Sequence, residues 1–166
     1  MAEVAIYKPD EVIILLGGIY QIGGLVDGSF VSIERDEAYY STNVSADGSV
    51  TRTHRESPVY TVRITLSSVS SDNNVLSAWA FTDGMLYGAM LPMFIKDANG
   101  TSLFYAGQSW IESPPSQDYG LEVTERVWEI KCAQVSNMVG GNYSGGIANP
   151  SLSALGMLAG DAAGIF

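Results

Sequence analysis

The side chains that most often carry catalysis are scarce in this sequence of 166 residues. It contains one histidine, His54, and one cysteine, Cys132. One residue of each type makes a Cys/His zinc centre improbable and excludes a disulfide within the chain. It also argues against Ser-His-Asp and Cys-His catalysis, because His54 lies in a charged, polar stretch typical of solvated residues. Cys132 alternates with Ile130 and Trp128, so we expect it to be a small buried apolar side chain.

Three further sequence patterns resemble known functional sites only weakly. Residues 18–23 have the glycine spacing of a phosphate loop but lack the Lys and Ser/Thr that should follow. The run Asp97-Ala98-Asn99-Gly100 resembles the start of a calcium loop, yet its glycine comes two positions early and no Glu stands at the twelfth position. Acid pairs for glycoside hydrolysis can be drawn among eighteen carboxylates, but carboxylates on solvent faces are far commoner. We therefore predict a protein that is not an enzyme and has no cofactor and no metal site.

Composition narrows the partners that this chain could bind. The net charge is −10, and charged residues are 16% of the chain against about 25% in an average soluble protein. This balance argues against a nucleic-acid groove, which depends on Lys and Arg. The apolar run at residues 12–26 is too short for a membrane helix, so we expect no membrane insertion. Few charges with much apolar content favour surfaces buried against partners about as much as a well-packed monomer.

Alternating apolar residues dominate the middle of the chain and predict β-strands. Residues 59–66 place four apolar side chains on one face: Tyr60, Val62, Ile64 and Leu66. Residues 12–16, 30–35 and 121–133 are further strands, the last with a bulge near Glu125 to restore one apolar face. Asp47-Gly48 predicts a hairpin that joins residues 39–44 to 50–55, and a second hairpin joins residues 93–96 to 102–106.

One amphipathic helix is predicted over residues 72–83. Ser71 or Asp72 can cap its start, and Gly84 can end it in a left-handed conformation. Its apolar stripe consists of Val75, Leu76, Trp79 and Ala80, which we expect to lie on a sheet.

The end of the chain differs in character from the rest. Residues 137–150 are rich in glycine and asparagine, as in connectors. Residues 151–166 carry large apolar side chains that include Leu152, Leu155, Leu158, Ile165 and Phe166. We therefore divide the chain into a β domain, residues 1–136, and a C-terminal extension, residues 137–166. The extension is interpreted as a latch that binds another subunit, and a free, disordered end is the alternative.

Five stretches of this sequence, in this order and spacing, resemble the tail tube proteins of long-tailed bacteriophages, most closely those with contractile tails. They are GSFVSIERD at residues 28–36, SADGSVTR at 45–52, SSDNNVLS at 70–77, QSWIE at 108–112 and VTERVWEI at 123–130. They are turns, caps and strand patterns, and the resemblance spans about residues 7–145. Residues after Pro150 have no counterpart in it.

The resemblance implies a fold, an oligomeric assembly and a location. The fold would be mainly β, a β-sandwich or half-barrel subunit with one flanking α-helix. Six subunits would form a β-barrel ring, and stacked rings would form the tail tube that delivers the genome. The implied partners are further copies of the chain, the tail sheath, the tape measure protein, the baseplate and the tail terminator, with phage DNA passing through unbound. The protein would be assembled in the bacterial host cytoplasm and reside in the virion tail.

Two groups of residues acquire hypothetical roles in such a tube. The long polar connection at residues 36–58 is the candidate ring-stacking arm, with Tyr39, Tyr40, Asn43, Asp47, Gly48 and Arg52 as its candidate contacts. An acidic bore would repel DNA and leave it free to slide. The candidate lumen acids, chosen because they lie on predicted strands, are Glu34, Asp36, Glu122, Glu125 and Glu129.

Three alternatives remain open at this stage. A tube or ring of another contractile injection machine, of bacteriocin or secretion type, would have the same fold without DNA cargo. A tail-terminator or baseplate ring would form single rings and no tubes. A carbohydrate-binding β-sandwich would use exposed aromatic residues such as Tyr39, Tyr40 and Tyr105.

Overall fold

The computed structural model describes residues 11–28 and 30–141, and it confirms a mainly β chain with one α-helix. The elements follow one another as β1 (Val12–Leu16), β2 (Tyr20–Gln21), β3 (Val31–Arg35), β4 (Tyr40–Val44), β5 (Val50–His54), β6 (Tyr60–Ser67), α1 (Asp72–Leu86), β7 (Leu91–Asp97), β8 (Leu103–Ser113) and β9 (Glu125–Met138). The five C-terminal latch residues lie outside the described residues, so their role stays a prediction.

Seven of the strands form one open antiparallel sheet in the order β2-β1-β7-β8-β9-β6-β3. Strands β4 and β5 form a separate two-stranded hairpin. The two ends of the large sheet approach each other, because Val12 of β1 and Val31 of β3 line the same cavity. The described residues therefore resemble the expected half-barrel. The hairpin buries no side chain and therefore does not serve as a second layer, and the finer choice between β-sandwich and half-barrel stays a prediction.

The core lies on one face of the sheet, where the predicted alternation is confirmed. Val62, Ile64 and Leu66 of β6 are fully buried. Val62 is paired with Ile130 of β9, so apolar side chains of neighbouring strands meet on this face. Cys132 is buried beside them, and desolvation raises the pKa of its thiol to about 12. It is therefore an inert core residue, as predicted.

Strand β9 begins later than predicted, which removes the need for a bulge. Leu121 and Val123 are exposed and precede the first strand residue, Glu125. Their apolar phase therefore does not belong to the strand, and the bulge predicted near Glu125 is wrong. The backbone irregularity of β9 falls instead at Gln134, whose φ of 54° is left-handed.

Helix α1 ends beyond its predicted limit. Gly84 lies inside the helix, and Tyr87 ends it with a φ of 52° and an N–H that donates to the Asp83 carbonyl at 2.8 Å. Ser71 occupies the N-cap position without a side-chain capping bond. Leu76 and Trp79 are buried, so the predicted apolar stripe faces the core.

Two buried polar side chains fix the start of α1. Asp72 accepts hydrogen bonds from the Gly23 N–H at 2.7 Å and from the Tyr20 hydroxyl. The Asn73 amide donates to the carbonyls of residues 67 and 70, and its oxygen accepts from the Trp128 Nε1 at 3.0 Å. The helix is thus tied to β2, to the end of β6 and to β9.

Candidate assembly surfaces

The β4–β5 hairpin presents one exposed face that combines aromatic, apolar and basic side chains. We call it the hairpin face, and it consists of Tyr40, Val44, Val50, Arg52 and His54. The strand register places these residues together, because Tyr40 is paired with His54 and Val44 with Val50. The rings of Tyr40 and His54 are 5.2 Å apart, and the Arg52 guanidinium lies 4.0 Å from the Tyr40 ring centre. Tyrosine and arginine are enriched at protein interfaces, so this face is suited to a protein partner.

The base of the hairpin is attached to the sheet by a stacked arginine. The Arg35 guanidinium lies 3.6 Å from the Tyr39 ring centre, and its Nε donates to the Glu37 carbonyl at 2.7 Å. The Tyr39 and Tyr60 hydroxyls are 3.0 Å apart. The hydrogen bond with Tyr60 and the nearby Arg35 lower the pKa of Tyr39. Tyr39 therefore anchors the hairpin and does not belong to its outward face.

The hairpin turn is stabilised by its own side chains. Asp47 Oδ1 accepts from the Ser49 N–H at 3.0 Å and from the Ser49 hydroxyl at 2.7 Å. These bonds favour the carboxylate and lower the pKa of Asp47. Gly48 has a φ of 84°, which a residue without a Cβ adopts at no steric cost. The Asp47-Gly48 turn prediction is confirmed, and both residues have a sufficient structural reason to be there.

The six candidate arm residues are thus divided by the structure. Tyr40 and Arg52 lie on the hairpin face, whereas Asn43 lies on the opposite face, paired with Thr51. The sequence reasoning missed Val44, Val50 and His54. Counting every second residue outward from the turn identifies them, because alternate side chains of a hairpin share one face.

The outer face of the large sheet carries interleaved opposite charges. We call this group the charge ladder, which consists of Glu34, Asp36, Arg63, Glu129 and Lys131. Arg63 pairs with Glu34 at 3.2 Å and with Glu129 at 3.3 Å, and Lys131 pairs with Asp36 at 2.8 Å. The hydrogen bond from Lys131 lowers the pKa of Asp36, and the same bond raises the pKa of Lys131.

Three of the five candidate lumen acids therefore lie in the charge ladder, where two cations offset most of their charge. Glu125 is exposed at the start of β9. Glu122 lies in the connection before β9, so its predicted place on a strand is wrong. A role of these acids in lining a bore stays a prediction.

A second group of exposed apolar side chains lies at the C-terminal end of α1. We call it the helix-end cluster: Phe81, Met85, Leu86, Tyr87 and Met90. Phe81 and Met85 are one helical turn apart and expose 71% and 64% of their surface. Trp79 differs from them, because it is buried and donates from Nε1 to the Ala89 carbonyl at 2.7 Å. Contiguous apolar surface of this kind often marks a contact with another protein.

Across residues 11–28 and 30–141, no three His, Cys, Asp or Glu side chains come close enough to hold a metal ion. Among these residues no helix has the length and apolar character needed to cross a membrane.

Comparison with known proteins finds one similar phage structural protein. No family model matches the chain. Structural protein ORF10 of Pseudomonas phage KPP10 is 28% identical over 159 aligned positions, which cover 91% of this chain and 92% of that protein. The similarity to a phage structural protein agrees with the phage resemblance of the sequence, although the tail tube assignment itself stays a prediction.

Solved structures with the same fold come from contractile injection systems. The tube-terminating cap of the anti-feeding prophage matches with a TM-score of 0.55 at 13% identity, over 83% of this chain and 96% of the cap. The sheath/tube terminator of the PVC extracellular contractile injection system, in its extended state, matches with a TM-score of 0.52 at 11% identity, over 83% of this chain and all of the terminator. The chain therefore shares its fold with both proteins over most of its length.

Proposed function

We propose that this protein is a structural subunit of a phage tail and forms a ring that ends the tail tube. The observation that carries the proposal is the fold match, which covers nearly the whole of two tube-terminating proteins. The similarity to a phage structural protein supports the virion as its location. The ring would contain six copies, as the sequence resemblance implies, and would leave a central passage for DNA.

The exposed surfaces give this proposal a physical basis. Among the described strands, β3 has one neighbour, β6, so its other edge carries unpaired backbone groups. A cyclic ring of identical subunits can cover such an edge at every position, because each subunit offers the same complementary surface to the next. The hairpin face and the helix-end cluster would then be contacts within the ring or with the tube and sheath.

The tail tube itself is the second candidate, favoured by the outward-reaching hairpin. Head-to-tail stacking of rings is a heterologous contact that does not close, and it produces filaments of unlimited length. In this case the hairpin face would contact the next ring, and the further partners would be the sheath, the tape measure protein and the baseplate. An acidic bore would then depend more on Glu122 and Glu125 than on the charge ladder, because the ladder carboxylates are paired.

Negative-stain electron microscopy of the purified full-length protein over a range of concentrations tests both candidates. A terminator should form single rings with a central hole, whereas a tube protein should form tubes that lengthen with concentration. Monodisperse monomers at every concentration, with and without phage tail extract, would contradict both. A glycan array tests the carbohydrate-binding alternative. We expect no specific binding, because Arg35 and Arg52 already stack on the rings of Tyr39 and Tyr40.

A further inference from the structure

An apolar groove lies between the two ends of the large sheet. We call it the edge groove. Its volume is about 330 Å³, and its main apolar lining residues are Val12, Phe30, Val31, Ile33, Phe104 and Met138. Asp97 is the one charged side chain among the described residues that line it. A groove of this composition accepts apolar side chains and disfavours unpaired charge.

Unpaired strand edges border the edge groove. Among the described residues, β3 is paired with β6 alone. Within the described part of the chain, β2 is paired with β1 only at Leu15 and Leu16, so no described strand lies on that side of the first residues of β1. Free backbone donors and acceptors beside an apolar groove are the features that bind an extended peptide segment.

The described chain ends at the rim of this groove. The Gly140 N–H donates to the Ser102 hydroxyl at 3.1 Å, and the Thr101 N–H donates to the Gly141 carbonyl at 3.3 Å. Ser102 and Val139 both line the groove. Residue 141, the last described one, therefore lies beside the groove, and residues 142–166 follow it in the sequence. No charged residue occurs in them before Asp161, and six large apolar residues follow Pro150.

We infer that the edge groove binds the apolar C-terminal segment, residues 151–166, of a neighbouring copy of this chain. The inference rests on the proposed function, because a ring supplies the neighbour. The length of the connector, residues 142–150, favours binding to a neighbouring copy over binding to the groove of the same chain. Nine extended residues span about 30 Å, whereas folding back into a groove at the rim needs a turn of only about two to five residues.

Disulfide crosslinking between full-length variants tests this inference. One variant carries Ile33→Cys in the groove, and its partner carries Leu152→Cys, Leu155→Cys or Leu158→Cys in the segment. Three positions are used so that the result does not depend on one register. Ser32→Cys is the matched control, because Ser32 is the adjacent residue of β3 and points to the opposite face. Native Cys132 is fully buried and should not react.

We expect covalent dimers from at least one Ile33→Cys mixture, with a yield about tenfold above the Ser32→Cys mixture because binding raises the effective concentration. An intrachain disulfide in a double variant, without dimers from mixtures, would assign the groove to the chain's own end and overturn the inference. Crosslinking of Ile33→Cys to Val4→Cys would overturn it in favour of residues 1–10. Equal, low yields from all pairs would also overturn it.

Parallel electron microscopy separates this inference from the proposed function. Rings without the interchain crosslink would refute the latch and leave the ring proposal intact. Interchain crosslinks without rings would support the binding of the C-terminal segment in the groove and contradict the proposed ring. A Leu155→Asp variant gives a second readout, since a charge in the apolar groove should reduce the crosslink yield from Leu158→Cys by about tenfold or more.

Discussion

Strands β6 and β9 and strands β4 and β5 are both regular antiparallel pairs, yet they differ completely in burial. The β6–β9 pair buries alternate side chains in the core, with Val62, Ile64 and Ile130 fully inaccessible. The β4–β5 pair keeps an unbroken register but buries no side chain. Regular hydrogen bonding is therefore common to both pairs, and only one of them contributes to the hydrophobic core.

We interpret this difference as a sign that the hairpin face makes a contact outside the fold of one subunit. A two-stranded hairpin is marginally stable in water unless it packs against something. Here Arg35 and Tyr39 fix its base, while Tyr40, Val44 and Val50 remain exposed along its length. These apolar side chains lie outside the hydrophobic core, so we interpret them as a contact surface for another protein. The variants below test this contrast, beginning with the largest expected effect.

Ile130→Ala should have the largest effect on stability. The side chain is fully buried in the core, so we expect a loss of about 2–5 kcal/mol in the free energy of unfolding, from lost transfer energy and a residual cavity. Chemical denaturation monitored by tryptophan fluorescence measures it. Val44→Ala on the hairpin face is the matched control, with an expected change below about 0.5 kcal/mol. Similar losses from both variants would contradict the contrast between the two strand pairs.

Asn73→Ala should destabilise the protein by a smaller amount. It leaves the buried Trp128 Nε1 without its acceptor at 3.0 Å, and we expect a loss of about 1–3 kcal/mol. Asn74→Ala is the control, because Asn74 is the next helix residue and is exposed. The same denaturation experiment compares the two, and an equal loss from both would show that helix propensity, and not the link to β9, sets the effect.

The pairing of Asp36 with Lys131 predicts a pH dependence with a defined sign. The pKa of Asp36 is lowered on folding, so the pair stabilises the folded state above the unfolded pKa of about 4 and loses this contribution as pH falls through the folded pKa. The free energy of unfolding of the unsubstituted protein should therefore exceed that of Asp36→Asn at about pH 6, and the difference should shrink by about pH 3. A difference that is constant with pH would argue against this account.

Local patterns allowed much of the fold to be predicted. The alternation at residues 60–66, the Asp47-Gly48 turn and the helical stripe around Trp79 each depend on neighbours within a few positions. The start of α1 is different, because Asn73 meets Trp128 across 55 positions. Such contacts depend on the order of the strands in the sheet. No short-range periodicity in the sequence encodes this order.

The candidate surfaces were predictable only in part, for a related reason. The polar hairpin was located correctly, but Tyr39 and Tyr40 were treated alike, although adjacent strand residues point to opposite sides. One stacks on Arg35 at the base, and the other lies on the hairpin face. Likewise, the sequence gives no sign that Glu34 and Glu129 share a partner, whereas Arg63 joins them through the strand order β9-β6-β3.

Arg52→Ala should change the free energy of unfolding least among these variants. It is also the most direct test of whether the hairpin face contacts another protein. Its guanidinium stacks on the exposed Tyr40 ring at 4.0 Å, a contact worth about 0.5–1 kcal/mol at an exposed site. The free energy of unfolding should therefore fall by no more than this amount. Arginine at the centre of an interface often contributes more than 2 kcal/mol to binding, so assembly should weaken by about thirtyfold or more. Sedimentation velocity over a concentration series measures this change.

Thr51→Ala is the matched control for Arg52→Ala, since Thr51 is the preceding residue and points to the opposite face of the hairpin. It should leave both stability and assembly unchanged. If Arg52→Ala assembled as well as the unsubstituted protein, the hairpin face would have no partner among copies of this chain. The exposed residues of β4 and β5 would then have to serve a different protein of the tail. If both variants assembled poorly, the hairpin as a whole, rather than one of its faces, would be the contact.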